Sequence, residues 1–326
     1  MSKPVLNIGI VGYANIAKRF IIPTLNNMNQ FNLVGVASRS KEKAKKISQE
    51  LNTKLFCSYE SLLEDVSLDA IYIPLPNSLH YEWIKKAFTK NLHVLVEKSM
   101  ACELDQVIEL NNLAKEKSLV LIENFQFRFH SQLKFIKQLL DDGKIGKIRN
   151  IRSSFGFPPF SDQNNIRYKK ILGGGSLLDV GAYPIKISQL FLGPEIYIKS
   201  ASLETPIDKE VDIWGSALIK QINGNLTSQV AFGFDHFYQN NLELWGSEGK
   251  ISTSRIFTAG PEFAPIINVE TNNTNDSFKL PPDNHFFNML TYFYQQIILK
   301  KDIENEYQQN INQARLIHEL REKSHE

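Results

Sequence analysis

Cysteine is scarce in this chain of 326 residues, which has only Cys57 and Cys102. The two lie far apart and match no spacing of metal ligands, so the sequence predicts neither a disulfide framework nor a metal site. No apolar run reaches the length of a membrane span. The first residues, with Lys3 and the polar Asn7, lack the pattern of a signal peptide. We therefore expect a cytoplasmic protein with no membrane partner.

Excess charge of either sign is also lacking, since 37 Lys and Arg face 35 Asp and Glu for a net charge of +2. A chain so nearly neutral has no field that would attract nucleic acid. Hydrophobic residues make up 42% of the chain and charged residues 22%, which is typical of a globular protein with a sizeable core. The length predicts two domains of ordinary size.

Short apolar runs alternate with helical patterns through the first 124 residues. This alternation predicts a parallel, doubly wound sheet. Pro23 lies inside the first predicted helix and should kink it or delay its regular start. Strands are predicted at 5–11, 33–37, 70–73, 94–96 and 119–122, with helices at 16–28, 41–51, 81–89 and 103–117.

The turn after the first strand has the spacing G-x-A-x-x-A, at Gly12, Ala14 and Ala17. Small residues there let the backbone approach a pyrophosphate at the helix N-terminus. We therefore assign Gly12, Ala14, Asn15 and Ile16 to cofactor binding. Ala14 adds a methyl group where the usual motif has glycine, so the approach should be slightly looser. An ordinary strand-to-helix turn is the structural alternative.

The residues just past the second strand should meet the adenosine ribose of a dinucleotide. An acidic residue there would accept the free hydroxyls of NAD, but this chain has Ser38, Arg39 and Ser40. An arginine between two hydroxyls suits a 2′-phosphate, so the sequence favours NADP(H) over NAD(H). Ser40 would also serve as the N-cap of the helix at 41–51, and both roles can hold at once.

Polar residues end two later strands of the same sheet. Glu97 and Lys98 follow the strand at 94–96, and Glu123 and Asn124 follow the strand at 119–122. Ligands of open α/β sheets bind at these carboxyl ends, so Lys98 should face a cofactor and a substrate. We assign Glu97, Lys98 and Asn124 to the cofactor site. A solvated ion pair is the alternative for Glu97 and Lys98, and Asn124 would otherwise bond only to backbone.

A proline-bearing loop follows the strand at 70–73. Two prolines make it rigid at another strand end. We assign Leu75, Asn77 and His80 in and after this loop to the cofactor site. Asn77 would also cap the helix that follows, and His80 by itself is typical of a helix start.

The alternation stops after residue 124. Gly173-Gly174-Gly175 precedes Asp179 and Tyr183, which share one face if the segment is helical. The remaining pattern predicts a helix at 135–140, a strand at 148–155, several strands between 196 and 254 with an Asn223-Gly224 hairpin, a loop at 272–276, and helices at 286–299 and 311–322.

Two domains follow from this change of pattern. We predict a Rossmann-type α/β domain over residues 1–124. Residues 125–326 should form an α+β domain with an open, mostly antiparallel sheet. The C-terminal helices can pack back on the first domain.

In this order the motifs resemble the Gfo/Idh/MocA family of oxidoreductases nearly end to end. They are G-x-A-x-x-A from Gly12, P-N-x-x-H from Pro76, E-K at Glu97, E-N at Glu123 and G-G-G-S-L-L-D-V-G-A-Y from Gly173. Within the family, several runs look like the 3-ketoreductases that act on nucleotide-linked deoxysugars. These runs are I-P-L-P-N, E-N-F, I-R-Y at 166–168, D-x-G-x-Y-P at 179–184 and F-G-F-D-H-F-Y-Q-N-N at 232–241.

The resemblance implies that Lys98 is catalytic and that Asp179 and Tyr183 match the D-x-x-x-H/Y pair. Either Tyr183 or Lys98 would donate the proton, with Asp179 positioning Lys98 or a sugar hydroxyl. Family members usually carry E-K-P, whereas Ser99 replaces the proline here, so the pose of Lys98 stays open.

The resemblance also supplies candidate substrate contacts outside that pair. They are Arg167, Tyr168, His236 and Tyr238, beside Lys98, Asp179 and Tyr183 themselves. The structural alternatives are a surface charge for Arg167, core aromatics for the two tyrosines and a sheet-edge residue for His236.

Three functions are compatible with these residues. The first is an NADP-dependent reductase of a keto group, at C3, of a nucleotide-linked deoxysugar. The second is an NAD(P)-dependent dehydrogenase of a free sugar, an inositol or a dihydrodiol. The third is a non-catalytic, cofactor-sensing regulator, against which Lys98 and Tyr183 argue because a sensor needs no proton donor. The resemblance further implies a homo-oligomer, a dimer or tetramer, because the open-sheet domain of such proteins commonly self-associates.

Overall fold

The computed structural model describes residues 4–39, 53–299 and 303–325. Ser40 and the helix predicted at 41–51 lie outside the described residues. The chain forms two compact units, one of Met1–Asn124 with Phe286–Ile311 and one of Phe125–His285 with Asn312–Glu326. The closing part of the chain is therefore shared between them.

The first unit is built on a six-stranded parallel sheet. Its strands are β1 (Leu6–Val11), β2 (Phe31–Ala37), β3 (Lys54–Phe56), β4 (Ala70–Ile73), β5 (His93–Glu97) and β6 (Leu121–Asn124). Their order, β3-β2-β1-β4-β5-β6, is that of the doubly wound dinucleotide-binding sheet predicted from the sequence. The direction of winding reverses between β1 and β4, and ligands bind outside the carboxyl ends of the strands at such a point.

Helices connect these strands. They are α1 (Ile22–Asn26), α2 (Tyr59–Leu63), α3 (Asn77–Thr89) and α4 (Leu104–Glu116). A π-helical turn, Ala17–Ile21, precedes α1. Pro23 lies in the first turn of α1, where a backbone N–H is not needed for the hydrogen bonds of the helix. The regular helix therefore starts late, as the proline predicted. Strand β3 and helix α2 were not predicted, although Ser58 and Ser61 form a capping box at the start of α2.

The two closing helices are α7 (His285–Leu299) and α8 (Ile303–Lys323), named to follow two helices of the second unit. Phe286 stacks on Phe20 with ring centroids 4.6 Å apart. Tyr307 donates a hydrogen bond of 2.5 Å to the Leu119 carbonyl. Helix α8 begins earlier than the predicted 311, because its first turns are polar and have little apolar periodicity.

The second unit is built on an eight-stranded sheet. Its strands are β7 (Ile148–Gly156), β8 (Ile196–Glu204), β9 (Trp214–Gln221), β10 (Thr227–Gly233), β11 (Gln239–Gly246), β12 (Gly249–Ser254), β13 (Ile266–Thr271) and β14 (Asn275–Lys279). The order is β14-β13-β12-β11-β7-β10-β9-β8, and only the β7–β10 pair is parallel. The open, mostly antiparallel sheet is thus confirmed.

Helices α5 (Ser131–Asp141) and α6 (Ala182–Leu192) belong to the second unit. A π-helical turn, Leu177–Gly181, precedes α6. This turn and α6 pack on one face of the sheet, against β7, β9 and β10. The Asn223-Gly224 hairpin joins β9 to β10 as predicted. The loop predicted at 272–276 is shorter, since its last two residues belong to the polar strand β14.

Within the described ranges, no helix is long and apolar enough to cross a membrane. The same residues contain no group of three His, Cys, Asp or Glu side chains that would hold a metal ion.

Candidate active site

Gly12 makes the turn after β1 possible. Its φ of +109° is a conformation that residues with side chains rarely adopt. A Cβ atom there would lie 2.8 Å from Leu75 Cδ2, so this turn packs against the loop after β4. Ala14, the exposed Asn15 and Ile16 continue the turn into the helical segment. Gly12 and Leu75, both predicted cofactor residues, are brought together where the winding of the sheet reverses.

Arg39 is exposed just beyond the end of β2, after the buried Ser38. Its guanidinium lies 5.5 Å from the centre of the Tyr59 ring. The Tyr59 hydroxyl is 3.9 Å from the position that a Cβ on Gly12 would take. Stacking on Tyr59 therefore orients the cation beside the dinucleotide turn without neutralising it. These residues fit a dinucleotide that carries an additional phosphate on its ribose.

Lys98 follows β5 in a turn that is held by hydrogen bonds of the next residue. Ser99 N–H donates to Asn77 Oδ1 at 3.2 Å, and the Ser99 carbonyl lies 2.7 Å from His80 Nδ1. The Lys98–Ser99 peptide bond is cis. A proline at this position would have no N–H for Asn77. Serine therefore makes a contact that the more usual residue of the E-K-P motif cannot make.

Two buried carboxyl groups flank the same turn. Glu123 Oε1 accepts a hydrogen bond of 2.8 Å from Met100 N–H. Glu97 Oε1 accepts from Tyr72 Oη at 2.6 Å and from Asn124 Nδ2 at 2.7 Å. Burial raises the pKa of Glu97, and the bonds from Tyr72 and Asn124 oppose that effect. Glu97 is only 9% exposed, so the alternative of a solvated ion pair is wrong for this residue.

His80 bridges the loop after β4 and the turn after β5. It is fully buried, with Nδ1 facing the Ser99 carbonyl and Nε2 2.8 Å from the Leu75 carbonyl. Burial lowers the pKa of His80 to about 4, although the two carbonyl oxygens favour a protonated ring. Both ring nitrogens are occupied, so His80 contributes to the predicted cofactor site by positioning these two loops.

The second unit holds the other predicted catalytic residues. Asp179 lies in the π-helical turn before α6, and Tyr183 lies in the first turn of α6. Arg167 Nε donates a hydrogen bond of 2.5 Å to Asp179 Oδ2. Asp179 in turn raises the pKa of Arg167. Two residues that the sequence singled out separately, as a catalytic residue and a substrate contact, therefore form one ion pair.

The glycine run explains how this pair forms. A Cβ on Gly174 would lie 2.4 Å from the Arg167 carbonyl oxygen, and Gly175 N–H donates to that oxygen at 2.9 Å. Gly175, with φ +113°, packs on Asp212, whose carboxylate accepts from Leu177 N–H at 2.6 Å. Side chains on these glycines would separate the arginine segment from the turn that carries the aspartate.

Four phenylalanine rings enclose Tyr183, which is 6% exposed. Its ring centroid lies 5.1 Å from that of Phe155, 5.5 Å from Phe257, 5.6 Å from Phe125 and 5.8 Å from Phe127. Such packing orients the ring and surrounds it with apolar atoms. The E-N-F run supplies Phe125, but the sequence analysis missed the other three because they are distant along the chain.

Tyr168 is placed near Arg167 by a shared neighbour. The Arg167 guanidinium lies 5.0 Å from the Phe160 ring centre, and the Tyr168 ring lies 6.0 Å from the same ring. Tyr168 Oη accepts a hydrogen bond of 3.1 Å from Phe160 N–H.

His236 and Tyr238 lie in the loop between β10 and β11. Asn240 Nδ2 donates to Tyr238 Oη at 3.1 Å, while Asn240 Oδ1 accepts from Phe257 N–H at 2.9 Å. Asn240, which the sequence analysis did not single out, thus links this loop to one wall of the Tyr183 enclosure. The F-G-F-D-H-F-Y-Q-N-N run contains Asn240 and was the available signal.

The predicted site residues divide between the two units. Lys98 and Asn124 belong to the first unit, and Asp179 and Tyr183 belong to the second. Their assignment to one reaction therefore stays a prediction.

A parallel sheet in this strand order, with a glycine turn after β1 and an arginine after β2, is typical of a dinucleotide-binding domain. Residues 6–125 match the model of the oxidoreductase family with the NAD-binding Rossmann fold, and residues 133–252 match the GFO/IDH/MocA C-terminal domain. The chain belongs to the Gfo/Idh/MocA family of oxidoreductases, as its motifs predicted.

Several proteins resemble this chain over most of its length. A dTDP-3,4-didehydro-2,6-dideoxy-alpha-D-glucose 3-reductase from Actinomadura kijaniata is 35% identical over 97% of this chain and 95% of that protein. A crystal structure of a 3-ketoreductase from the same organism, in complex with NADP and TDP-benzene, matches with a TM-score of 0.94. It is 34% identical and covers 98% of each chain. D-xylose 1-dehydrogenase (NADP(+)) 2 from Haloferax volcanii is 30% identical over 81% of this chain and 80% of its own.

Burial of neutral His80 makes stability depend on pH. The unfolded chain, with a His pKa near 6.5, binds a proton that the folded chain takes up only near pH 4. The stability that depends on a neutral His80 is therefore present above pH 6.5 and is lost as the pH falls from 6.5 towards 4. Between pH 7 and pH 5 we expect this loss to lower the free energy of unfolding by about 2 kcal/mol.

The His80→Gln variant should lose about 2 kcal/mol less than the wild type over the same interval, as measured by urea unfolding at both pH values. His318→Gln, at an exposed histidine, is the matched control and should keep the wild-type response. Equal losses in the wild type and His80→Gln would contradict the assignment.

Proposed function

We propose that this chain reduces the C3 keto group of a nucleotide-linked deoxysugar with NADPH. The observation that carries the proposal is similarity over nearly the whole chain to a 3-reductase and a 3-ketoreductase of dTDP-linked compounds. The residues that such chemistry requires are present in this chain. Lys98 lies in a turn held by hydrogen bonds of the next two residues, and Tyr183 is buried among four phenylalanine rings.

The first unit would hold the cofactor, which supplies a hydride when bound. The turn at Gly12, Ala14, Asn15 and Ile16 would bind the pyrophosphate. Ser38, Arg39 and Ser40 would bind the adenosine phosphate. The rest of the cofactor site is proposed to involve Leu75, Asn77, Glu97, Lys98 and Asn124, with His80 positioning the loops that carry them.

Ketone reduction also needs a proton on the carbonyl oxygen. Tyr183 is the proposed donor, and Lys98 would polarise the carbonyl with its positive charge. Asp179 is held as a carboxylate by Arg167, so it would accept a hydrogen bond from the substrate instead of donating the proton. Arg167, Tyr168, His236 and Tyr238 remain candidate contacts of the sugar or its nucleotide.

A second candidate is an NADP-dependent dehydrogenase of a free sugar. The similarity to a D-xylose 1-dehydrogenase favours it. Substrate profiling with dTDP-linked keto sugars against free aldoses separates the two. Tight NADPH binding without turnover on either class would instead favour the cofactor-sensing regulator.

Loss of Lys98 should reduce turnover much more than cofactor affinity. For Lys98→Met we expect kcat to fall about 10²- to 10⁴-fold, because the polarising charge is lost. NADPH affinity should change only a few-fold. Stopped-flow reduction of dTDP-3,4-didehydro-2,6-dideoxy-α-D-glucose, generated in place, and NADPH fluorescence titration measure the two effects. Lys90→Met, at an exposed lysine of the same unit, is the control. Wild-type kcat in Lys98→Met would remove the catalytic role.

Arg39 should decide the preference between cofactors. The wild type should bind NADPH at least tenfold more tightly than NADH, because the guanidinium contacts the additional phosphate. Arg39→Ala should abolish this difference mainly by weakening NADPH. Parallel titrations with both cofactors provide the measurement. Equal affinity in the wild type would favour a catabolic sugar dehydrogenase.

We also propose that the chain forms a homo-oligomer through its eight-stranded sheet. The face opposite α6 carries mainly small and polar side chains. It forms a trough of about 610 Å³ across the neighbouring strands β7, β10, β9 and β8. Ser202 and Ser216 are exposed on it and pair directly across β8 and β9. Apart from Arg152, Leu218 and Gln229, the side chains of this face are mostly short, which suits close approach by a second copy of the same sheet.

Charge on this face should dissociate the assembly. Wild-type protein should give a multiple of 37.3 kDa in light scattering, and Ser202→Arg/Ser216→Arg should give a single chain mass. Two like charges brought against their own copies across a symmetric interface repel. Asn223→Arg, at the hairpin tip, is the control and should stay assembled. A wild-type mass of 37.3 kDa would contradict the proposal.

A further inference from the structure

The ion pair between Arg167 and Asp179 is not accounted for by hydride transfer or by cofactor binding. We infer that Arg167 is a positioning residue for proton transfer: it fixes the Asp179 carboxylate one turn before Tyr183 and provides a permanent positive charge near the tyrosine hydroxyl. This inference rests on the proposed reduction of a ketone, and it assigns the charge of the second unit that assists the donor.

Arg167 is held in place from several sides before any substrate binds. Its N–H donates to Asn165 Oδ1 at 3.1 Å, and its carbonyl accepts from Gly175 N–H at 2.9 Å. Its guanidinium lies 5.0 Å from the Phe160 ring centre and donates from Nε to Asp179. The side chain is 38% exposed against 18% for Asp179, so the carboxylate lies on the more enclosed side of the pair. An arginine fixed in this way needs little reorganisation during the reaction.

Helix geometry connects the ion pair to the tyrosine. Asp179 lies in a π-helical turn, in which residues four to five positions apart stand above one another. Tyr183 follows four positions later, in the first turn of α6. The Arg167 guanidinium, which pairs with Asp179, therefore lies on the side of the helix that carries Tyr183. Consistent with this placement, the pKa of Arg167 is raised chiefly by the Asp179 carboxylate and to a smaller extent by the phenol groups of Tyr183 and Tyr168.

The aromatic surroundings of Tyr183 strengthen the effect of the Arg167 charge, because they screen it less than water does. Four phenylalanine rings surround the Tyr183 ring, and the buried Lys186 Nζ lies 5.6 Å from the centre of one of them, Phe125. The inward-facing residues of β7, β9 and β10, which pack on α6, include no titratable side chain. They are Ile151, Ser153 and Phe155, Ala217 and Ile219, and Ser228, Val230 and Phe232.

Charged and titratable groups lie farther along or beside these elements. Lys186, one turn on, donates to Gln189 Oε1 at 3.0 Å. Lys209 lies 5.9 Å from the Tyr168 ring, and His236 packs on Gly156. Lys98, in the first unit, is the cation already proposed for the carbonyl and is unchanged in every variant below.

The proton balance shows where Arg167 would act. With NADPH supplying the hydride for the carbonyl carbon, the O–H bond of Tyr183 would break as its proton adds to the carbonyl oxygen. The tyrosine is left as a phenolate until water returns a proton. The Arg167 charge favours that phenolate, whereas an unpaired Asp179 carboxylate would disfavour it. Loss of Arg167 thus weakens the donor in both ways.

The test compares Arg167→Gln, Arg167→Lys and the wild type, with Lys170→Gln as a matched control for loss of charge in the same exposed loop. In Arg167→Gln we expect kcat for the dTDP-linked keto sugar to fall about tenfold to a hundredfold. The alkaline limb of its pH profile should move up by about one pH unit. NADPH affinity should stay within about twofold. Arg167→Lys should recover part of both effects, because it keeps the charge but loses the planar fork.

A second measurement does not depend on turnover. Ultraviolet difference titration of each protein against its own Tyr183→Phe version follows this one tyrosine. It should ionise at higher pH in Arg167→Gln than in the wild type or Lys170→Gln.

Two results would overturn the inference. One is an Arg167→Gln enzyme in which only the KM for the sugar rises while kcat and the pH limb stay unchanged, since Arg167 would then be a substrate contact alone. The other is an unchanged titration of Tyr183. Absence of wild-type turnover on every keto sugar would refute the proposed function, and the titration would still decide whether Arg167 acts on Tyr183.

Discussion

His80 is the side chain on which the carboxyl edge of the parallel sheet depends. A buried backbone carbonyl needs a partner. The two ring nitrogens of His80 lie 2.7 Å from the Ser99 carbonyl and 2.8 Å from the Leu75 carbonyl, and the neutral ring donates a hydrogen bond to one of them while it contacts the other. Leu75 packs against the Gly12 turn, and Ser99 follows Lys98. One buried ring thereby links the turn at Gly12, which is proposed to approach a dinucleotide, to the turn that carries Lys98.

The turn at Lys98 shows how local bonds can replace the rigidity of a proline ring. Serine in this position leaves a backbone N–H, and Asn77 accepts from it. Glu123 accepts from the following N–H, and Glu97 is anchored by Tyr72 and Asn124. Each of these bonds lies at the ends of neighbouring strands, where buried polar groups must be satisfied within the protein. The polar residues that end the strands therefore support one another as well as any ligand.

In the second unit, side-chain packing and charge pairing hold the candidate residues in place. Aromatic packing orients Tyr183, and an ion pair orients Asp179. Glycines at 174 and 175 allow the two backbone segments to approach closely enough for that pair to form. Backbone hydrogen bonding thus surrounds Lys98 in the first unit, whereas an ion pair at Asp179 and aromatic packing at Tyr183 act in the second.

The amino-acid sequence by itself determined the strand–helix alternation, the glycine turn, the family and the residue types at each strand end, because these follow from local periodicity and short motifs. Strands β3, β13 and β14 and helix α2 escaped prediction, since short or polar elements have weak periodic patterns. Only the tertiary structure decided the partners: His80 with two backbone carbonyls, Arg167 with Asp179, and Tyr183 with Phe155, Phe257 and Phe127. Such contacts join residues that are distant along the chain, and no local pattern records which of several polar or aromatic side chains will meet once the backbone has folded.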